Sequence, residues 1–253
     1  MQLVLHYDGS GFSGWQRQPE QRTVQSVLEG ALERLCGVAI AALGSGRTDA
    51  GVHALAQVAH LELYTDVSPE QLRRKVNDEL PSDIHIISAD TAPHRFHARH
   101  DAVARSYVYQ VSRRRTAFGK PFVWWIREAL DVAAMREAAA LFVGLKDFHG
   151  FTDDDPAEKS TLVLVDGIEI VEEGALVLIR IRGSHFLWKM VRRIVGVLAA
   201  VGRGELKPGD ALDEHVDVAA LTAPAAGLFL EGVYYSKSEG PGALVGLLRI
   251  GGV

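Results

Sequence analysis

The sequence predicts an α+β fold of two subdomains, because the same order of elements, β-α-β-β-α-β, can be assigned to each half of the chain. In each half, short apolar or alternating runs of strand length are separated by two longer segments with apolar residues at helical spacing. This is the order of the ferredoxin-like unit. We therefore expect two ferredoxin-like (βαββαβ) subdomains, residues 1–102 and 103–253, with mainly antiparallel sheets that meet at a central cleft.

Capping signals delimit the two helices of the first half. Thr23 is expected to cap the first helix and Gly37 to end it. The second helix is expected to begin at Ser68-Pro69-Glu70-Gln71, where a serine cap precedes a proline and a capping-box glutamine, and to end at Pro81. The apolar face of the first helix consists of Val24, Val27, Leu28, Ala31, Leu32 and Leu35. The expected strands are residues 3–8, 38–43, 53–63 and 84–88.

The second half repeats this order with less distinct boundaries. Its expected strands are residues 103–111, 162–171, 176–182 and 228–235, and its expected helices are residues 132–143 and about 185–201. The long second helix has one apolar stripe and one polar face. The polar face consists of His185, Trp188, Lys189, Arg192 and Gly196. A solvated face would explain the cations, but Trp188 and Gly196 are unusual on one.

Composition excludes several classes of protein. With 47% hydrophobic and 23% charged residues, the chain can form a sizeable core. The longest apolar stretch, Ile194 to Gly202, is too short to cross a bilayer, and the N-terminus does not resemble a secretory leader. The single cysteine, Cys36, cannot form an internal disulfide or a cysteine zinc site. We expect a cytoplasmic protein.

Positive charge is concentrated in two segments, although the net charge is −5. Residues 94–115 contain six arginines and one acid, and residues 180–203 contain six cations and no acid. Two such segments on an acidic chain favour a face that binds a polyanion. Arginines scattered over a solvated surface are the alternative.

Two further patterns do not support a cofactor or a metal. Gly9-Ser10-Gly11-Phe12-Ser13-Gly14 matches G-x-G-x-x-G, but the helix begins only near Thr23, which is too late for a dinucleotide site. A loop whose backbone approaches another segment, or a phosphate, explains these glycines better. The repeated histidines are interleaved with arginines, which repel a metal cation; they are His94, His97 and His100.

The loop Gly44–His53 carries the most distinctive chemistry. Small residues flank one carboxylate, Asp49, and one guanidinium, Arg47. An Asx-turn would explain an aspartate followed closely by glycine. A carboxylate that stays ionised beside cations can instead act as a nucleophile. Elsewhere, Tyr107 and Tyr109 share one face of a strand flanked by arginines, which suits stacking on bases or a place in the core.

These motifs resemble the family of tRNA pseudouridine synthases that modify uridines 38–40 of the anticodon arm. The resemblance covers nearly the whole chain. It is carried by Tyr7-Asp8-Gly9, Phe12-Ser13-Gly14-Trp15-Gln16, Gly46-Arg47-Thr48-Asp49-Ala50-Gly51-Val52-His53, Phe96-His97-Ala98-Arg99, Ala104-Arg105-Ser106-Tyr107, Met190-Val191-Arg192, Val195-Gly196, Ala223-Pro224 and Gly227-Leu228.

The resemblance implies a role for each matching residue. Asp49 is the expected nucleophile, and Tyr107 is expected to stack on the target uracil or to take a proton from it. Arg192 is expected to pair with the aspartate, Arg47 to help open the site of the target nucleotide, and Leu228 to form an apolar wall. It also implies a homodimer that binds the anticodon arm of tRNA without a metal or an organic cofactor. The basic segments add Arg105, Arg113, Arg114 and Lys189 as candidate substrate-binding residues.

Three departures from the family pattern leave fine substrate preference open: Ser10-Gly11, His100-Asp101 and Ala225-Ala226. Two other functions would fit parts of the sequence. A non-catalytic RNA-binding module would have a similar surface, but a polyanion binder gains nothing from an aspartate in a basic cleft. The hypothesis of a nucleotide-dependent oxidoreductase is supported by the first glycine loop alone.

Overall fold

The computed structural model describes residues 1–63 and 67–247, and residues 248–253 of the expected second subdomain lie outside this part. The chain divides into two compact units. The first is Met1–Val103 with Phe229–Glu239, and the second is Ala104–Leu228 with the described residues from Gly240 onward. Helices and mostly antiparallel strands are mixed in both, which confirms the expected α+β class. No described helix is long and apolar enough to cross a membrane.

The first unit has the expected order of elements. Its elements are β1 (Gln2–Tyr7), α1 (Val24–Cys36), β2 (Leu43–Gly44), β3 (His53–His60), α2 (Pro69–Glu79) and β4 (Ile84–Asp90), joined by nearly all of β10 (Leu228–Tyr234). Strand β1 pairs antiparallel with β3 and β4, and β2 pairs antiparallel with β3. Strand β10 pairs parallel with β3, Phe229 opposite His53. The last strand therefore groups with the first unit, although it follows the second in sequence.

The predicted helix boundaries of the first unit are confirmed. Thr23 caps α1 in a capping box with Ser26, and Gly37 ends the helix at a φ of 72°, a conformation that glycine adopts without strain. Ser68 and Gln71 form the expected capping box of α2, which ends at Glu79. Local sequence signals thus determine where both helices begin and end.

The predicted strand at 38–43 is wrong over most of its length, because only Leu43–Gly44 is a strand. The Val38 side chain is 57% exposed. At Ala42 the backbone bonds to side chains of α1: its N–H donates to Glu29 at 3.0 Å, and its carbonyl accepts from Gln25 at 3.1 Å. These polar side chains of α1 take the place of a partner strand.

The second unit contains β5 (Ala104–Ser112), β6 (Trp124–Trp125), α3 (Val132–Leu141), β7 (Gly144–Asp147), β8 (Leu162–Glu173), β9 (Leu176–Gly183) and α4 (Met190–Gly202). Its sheet has the order β5-β9-β8-β7 with antiparallel neighbours, and β6 pairs parallel with β5. Strands β6 and β7 were not predicted from the sequence, because they are too short for a periodic pattern. The ferredoxin-like assignment of each half stays a prediction.

Helix α4 begins later than expected. The predicted start near 185 is wrong, because Lys189 has a φ of 61° and this left-handed residue cannot continue a helix. The preceding turn places Phe186 against Tyr107 instead, with ring centroids 5.2 Å apart. Within α4 itself, Ile194, Leu198 and their neighbours are buried as the apolar stripe predicts.

Candidate active site

The loop that carries Asp49 joins β2 to β3 in the first unit. Thr48 is buried, Asp49 is half-buried, and Arg47 and Ala50 are exposed. The turn is closed by the backbone, since the N–H of Val52 donates to the carbonyl of Asp49 at 3.1 Å. The carboxylate thus lies on a short turn between two anchored ends.

Thr48 anchors this loop through its side chain and its backbone. Its Oγ1 lies 2.8 Å from the Tyr7 hydroxyl on β1, and its carbonyl accepts from the N–H of Trp15 at 3.0 Å. Both partners come from the N-terminal segment, Tyr7 from the predicted strand 3–8 and Trp15 from the motif that follows it. The residue before Asp49 is therefore fixed from two directions.

The glycines of the first loop permit close backbone contact with the Asp49 loop. Gly14 has a φ of 89°, and a Cβ there would lie 2.6 Å from the carbonyl oxygen of Thr48. A Cβ at Gly9 would lie 2.0 Å from the carbonyl oxygen of Val52. The N–H of Gly51 donates to the carbonyl of Phe12 at 3.2 Å. This confirms the interpretation that these glycines let one segment approach another.

A buried glutamine that the sequence analysis missed holds the start of the loop. Gln57 on β3 accepts from the Ser45 hydroxyl at 2.7 Å and donates to the Gly46 carbonyl at 3.0 Å. The signal was a lone amide within an otherwise apolar strand pattern, where a buried polar group needs partners. On the same strand, His53 accepts from the Gly9 N–H at 3.0 Å and stacks on Phe229 with centroids 4.6 Å apart.

The two tyrosines of β5 differ in their surroundings. Tyr107 is 9% exposed and meets the ring of Phe186 edge to face. Tyr109 is fully buried, and its hydroxyl donates to the Pro224 carbonyl at 2.8 Å. Burial raises the pKa of Tyr109, which therefore stays protonated, while the nearby charge of Arg192 acts in the opposite direction. Tyr109 is thus a core residue, and Tyr107 is the candidate for contact with substrate.

Arg192 lies in the first turn of α4 and binds segment 221–223 of the second unit. Its Nε donates to the Ala223 carbonyl at 2.8 Å, and its own carbonyl accepts from the Ala223 N–H at 3.1 Å. One turn later, a Cβ at Gly196 would lie 1.7 Å from the Leu221 carbonyl oxygen. The absence of a side chain at Gly196 therefore lets segment 221–223 approach the helix closely.

Leu228 follows a turn held by β5. Its N–H donates to the Ala225 carbonyl at 3.0 Å, and its side chain is buried. The preceding Gly227 has a φ of 93° and accepts from the N–H of Gln110 at 2.9 Å. In the second unit, residues 221–228 thus end at Leu228 and contact both Arg192 and the strand of Tyr107.

The remaining candidate cations of the second unit differ in their protein contacts, their exposure and their distance from Tyr107. Arg105 is buried and donates to the Ser184 carbonyl at 2.9 Å. Arg113 bonds Glu172 at 2.7 Å, and it follows Tyr107 by six residues, about 20 Å along an extended strand. Arg114 is exposed, and Lys189 Nζ donates to Asp153 at 2.7 Å. Asp49 and Arg47 belong to the first unit.

Three histidines of the first unit lie together without forming a metal site. The His97 ring lies 4.6 Å from that of His60 and 4.2 Å from that of His100. Nitrogens that could bind a metal accept backbone hydrogen bonds instead, from Ala98 at His60 and from Arg99 at His97. Within residues 1–63 and 67–247, no group of three or more histidine, cysteine or acidic side chains could hold an ion.

Comparison with known proteins gives consistent matches over the chain. A family model described as tRNA pseudouridine synthase matches residues 3–101 and 138–236, a split match that fits two subdomains. A tRNA pseudouridine synthase A of Paramagnetospirillum magneticum is 40% identical over 245 residues, covering 94% of this chain and 96% of the relative. A protein of the same name from Syntrophotalea carbinolica is 39% identical and covers 94% of this chain and 97% of the relative. Another from Geobacter sulfurreducens is also 39% identical and covers 93% of this chain and 99% of the relative.

Proposed function

The chain belongs to the tRNA pseudouridine synthase family, and from this premise we propose that it modifies uridines 38–40 of the anticodon arm through a nucleophilic Asp49. Its reaction is the isomerisation of uridine to pseudouridine in tRNA. The observation that carries the assignment of Asp49 is the anchoring of its loop, in which a half-buried carboxylate follows a threonine held from two sides.

The reaction moves a bond without changing composition. The bond from ribose C1′ to uracil N1 breaks, the base rotates, and C1′ joins C5. The C5 proton then leaves and N1 ends protonated, so no redox partner is required. The target base must leave its stack to be reached, which costs a few kcal/mol and calls for a pocket with stacking partners.

Asp49 attacks either C1′ of the ribose or C6 of the uracil ring in this proposal. Both routes need an ionised carboxylate held in one direction, because a nucleophile gains most from a fixed approach to its target. The backbone contacts of Gly14, Gly51 and Thr48 support such a role, since they leave the Asp49 loop little freedom.

Tyr107, Arg192 and Leu228 are proposed to act on the same uridine as Asp49. Tyr107 stacks on the base and takes the C5 proton, directly or through a water. Arg192 pairs with the aspartate, orients it and excludes competing water. Leu228 supplies an apolar wall. Their support is the arrangement within the second unit, where residues 221–228, which include Leu228, contact Arg192 and the strand of Tyr107.

RNA binding is proposed for the cations predicted from the sequence. Arg47 and Arg114 are exposed and suited to phosphate contact. Arg105, Arg113 and Lys189 would contact RNA in addition to the Ser184 carbonyl, Glu172 and Asp153, respectively. The segment after Arg114 also carries aromatic groups: Phe118 is 97% exposed, and the guanidinium of Arg115 lies 5.6 Å from the ring centroid of Trp125. Exposed rings among cations suit base stacking.

A homodimer in the cytoplasm, where tRNA is processed, completes the proposal. Strands β7 and β8 expose Leu145, Leu162 and Leu164 to 67%, 53% and 42%. Leu145 pairs directly with Leu164 in the sheet, so these two side chains lie on one face. An apolar patch of this kind on a sheet face is typical of an interface between protein chains.

Two measurements test the proposed function. Sites of pseudouridine are mapped on unfractionated tRNA after incubation with the purified protein, and turnover is followed by release of tritium from C5 of labelled uridine. We expect modification at positions 38–40. Asp49→Asn should bind tRNA and release no tritium, because an amide is not a nucleophile of comparable strength.

Asp90→Asn is the matched control, since Asp90 is an exposed carboxylate of the same unit. It should turn over at the wild-type rate. Wild-type turnover by Asp49→Asn would remove Asp49 from the mechanism, and modification outside the anticodon arm would contradict the proposed substrate positions.

A further inference from the structure

The N-terminal end of α4 is positively charged, and the first turn contains no acidic side chain that balances this charge. Lys189 occupies the N-cap position without a side-chain cap, and the first turn holds no acidic residue but contains Arg192 and Arg193. The N-terminal end of a helix carries partial positive charge, so cations there are unfavourable unless an anion lies close. The anion comes from residues 152–159, which we call the acidic loop.

Two aspartates of the acidic loop bind this helix start. Asp153 accepts from Lys189 Nζ at 2.7 Å and from the guanidinium of Arg193. Asp154 accepts from the backbone N–H of Trp188 at 3.1 Å. The hydrogen bonds from Lys189 and Arg193 hold the pKa of Asp153 below its usual range, so the carboxylate stays charged.

Arg193 makes this contact more than a surface ion pair. Its side chain is only 4% exposed, and its Nε has no hydrogen-bond partner within residues 1–63 and 67–247. Asp153 is therefore the anion that compensates a buried charge, and its removal leaves that charge uncompensated. Surface pairs are weak and easily replaced by water, whereas this contact constrains the helix.

Arg192 lies between the two residues that Asp153 joins. Lys189 and Arg193 are four positions apart and share one side of the helix start. The neighbouring side carries Arg192, whose Nε bonds a carbonyl of segment 221–223 at 2.8 Å, and Gly196, which touches the same segment. The first turn of the helix is thus held on two adjacent sides, and loss of the Asp153 contact removes one of these two constraints on the direction of Arg192.

We propose that Asp153 is a positioning residue for the isomerisation: by joining Lys189 to Arg193, it sets the direction of Arg192. This inference rests on the role proposed above for Arg192. The acidic loop is then part of the support of the site, and Asp153 itself does not touch the substrate.

The test compares the single-turnover rate at saturating enzyme with the Kd for tRNA. Asp153→Asn should lose about tenfold to a hundredfold in rate, the scale expected when a reacting group is slightly misplaced. Its Kd should change less than about threefold, because only the chemical step is affected. Asp153→Glu keeps the charge and should recover part of the rate.

Asp155→Asn is the matched control, because Asp155 lies in the same acidic loop and its carboxylate accepts from the Ala157 N–H within that loop. It should keep the wild-type rate. In an Arg192→Lys background, Asp153→Asn should cause a smaller loss than in the wild type, since both changes act on one guanidinium.

Three results would overturn the inference. They are a wild-type rate for Asp153→Asn, an equal loss in both Arg192 backgrounds, and tighter tRNA binding with an unchanged rate, which would make the acidic loop a competitor of RNA. If circular dichroism shows that Asp153→Asn does not fold, Asp153→Glu decides, and its wild-type rate would overturn the inference. A wild-type enzyme that forms no pseudouridine would instead count against the proposed function.

Discussion

The hydroxyl of Tyr7 lies 2.8 Å from Oγ1 of Thr48, and this contact joins the last residue of β1 to the residue before Asp49. Both side chains are buried. Burying a hydroxyl without a partner costs more than its hydrogen bond contributes, so the pair holds the loop to the strand. The proposed nucleophile therefore follows a rigidly held residue.

Thr48→Val should destabilise the protein and slow the reaction. Valine keeps the shape of threonine but removes the hydroxyl that Tyr7 meets, while Gln57 Nε2 still lies 3.4 Å from the Tyr7 hydroxyl. We therefore expect the loss of one hydrogen bond, about 0.5–1.5 kcal/mol in the free energy of unfolding. Urea titration measures this loss, and single-turnover tritium release measures the rate. The double variant with Tyr7→Phe should lose less than the sum of the single variants, and additive losses would contradict the coupling.

Gly14→Ala and Gly30→Ala should have effects of opposite sign. At Gly14 the φ of 89° and a Cβ 2.6 Å from the Thr48 carbonyl oxygen force strain, which costs about 1–3 kcal/mol or more. At Gly30, inside α1, the nearest atom lies 3.5 Å from a new Cβ, so alanine should add about 0.5–1 kcal/mol of stability. Thermal unfolding of both variants measures the sign of each change in stability. Destabilisation at both positions would contradict the prediction that α1 has room for a Cβ at Gly30.

Arg114→Ala should weaken tRNA binding and reduce the slope of log K against log salt by about 1. Arg113→Ala should also weaken binding and reduce this slope. Filter binding over a range of salt concentrations measures both slopes. Lys207→Ala, an exposed cation outside the two basic segments, is the control and should leave the slope unchanged. Unchanged slopes for both arginine variants would place the RNA surface elsewhere.

Protonation of His60 should destabilise the protein in mild acid. Burial first, and then the nearby His97, lower the pKa of His60 from 6.5. The unfolded chain therefore binds this proton more readily, so the stability is complete above that value and declines as the pH falls through it. Protonation also removes the acceptor of the Ala98 N–H.

Thermal unfolding from about pH 7 to pH 5 should show this decline in the wild type, in the range where histidine titrates. His60→Gln should show a shallower decline. His215→Gln, at an exposed position, is the control and should follow the wild-type curve. Parallel curves for all three proteins would exclude His60 as the source.

Leu145→Lys should disrupt the proposed homodimer. It places a charge on the exposed face of β7 opposite Leu164, where an interface cannot easily solvate it. Sedimentation velocity should show a dimer for the wild type and a monomer for the variant. Leu212→Lys, at a leucine that is exposed elsewhere in the same unit, should stay dimeric. A dimeric Leu145→Lys would move the interface away from β7.

Local sequence signals were sufficient to predict several features of this protein. Capping residues predicted the boundaries of α1 and α2 because they satisfy backbone groups within a few positions of themselves. The late helix start after Gly14 excluded a dinucleotide loop and indicated close backbone contact, which the structure shows at the Thr48 carbonyl. The motif around Asp49 indicated the family, and the comparisons confirm it.

The sequence by itself thus determined the α+β class, the helix boundaries of the first unit and the family, since each depends on short-range patterns. Only the tertiary structure decided which distant partners each segment meets. Residues 38–43 look like a strand, yet Ala42 bonds side chains of α1. Lys189, a candidate RNA contact from the sequence, also bonds Asp153, 36 positions away, which the sequence did not predict. Strand pairing and ion pairs depend on residues that are close in space but distant in sequence. Local hydrophobic periodicity and motif spacing therefore cannot predict them.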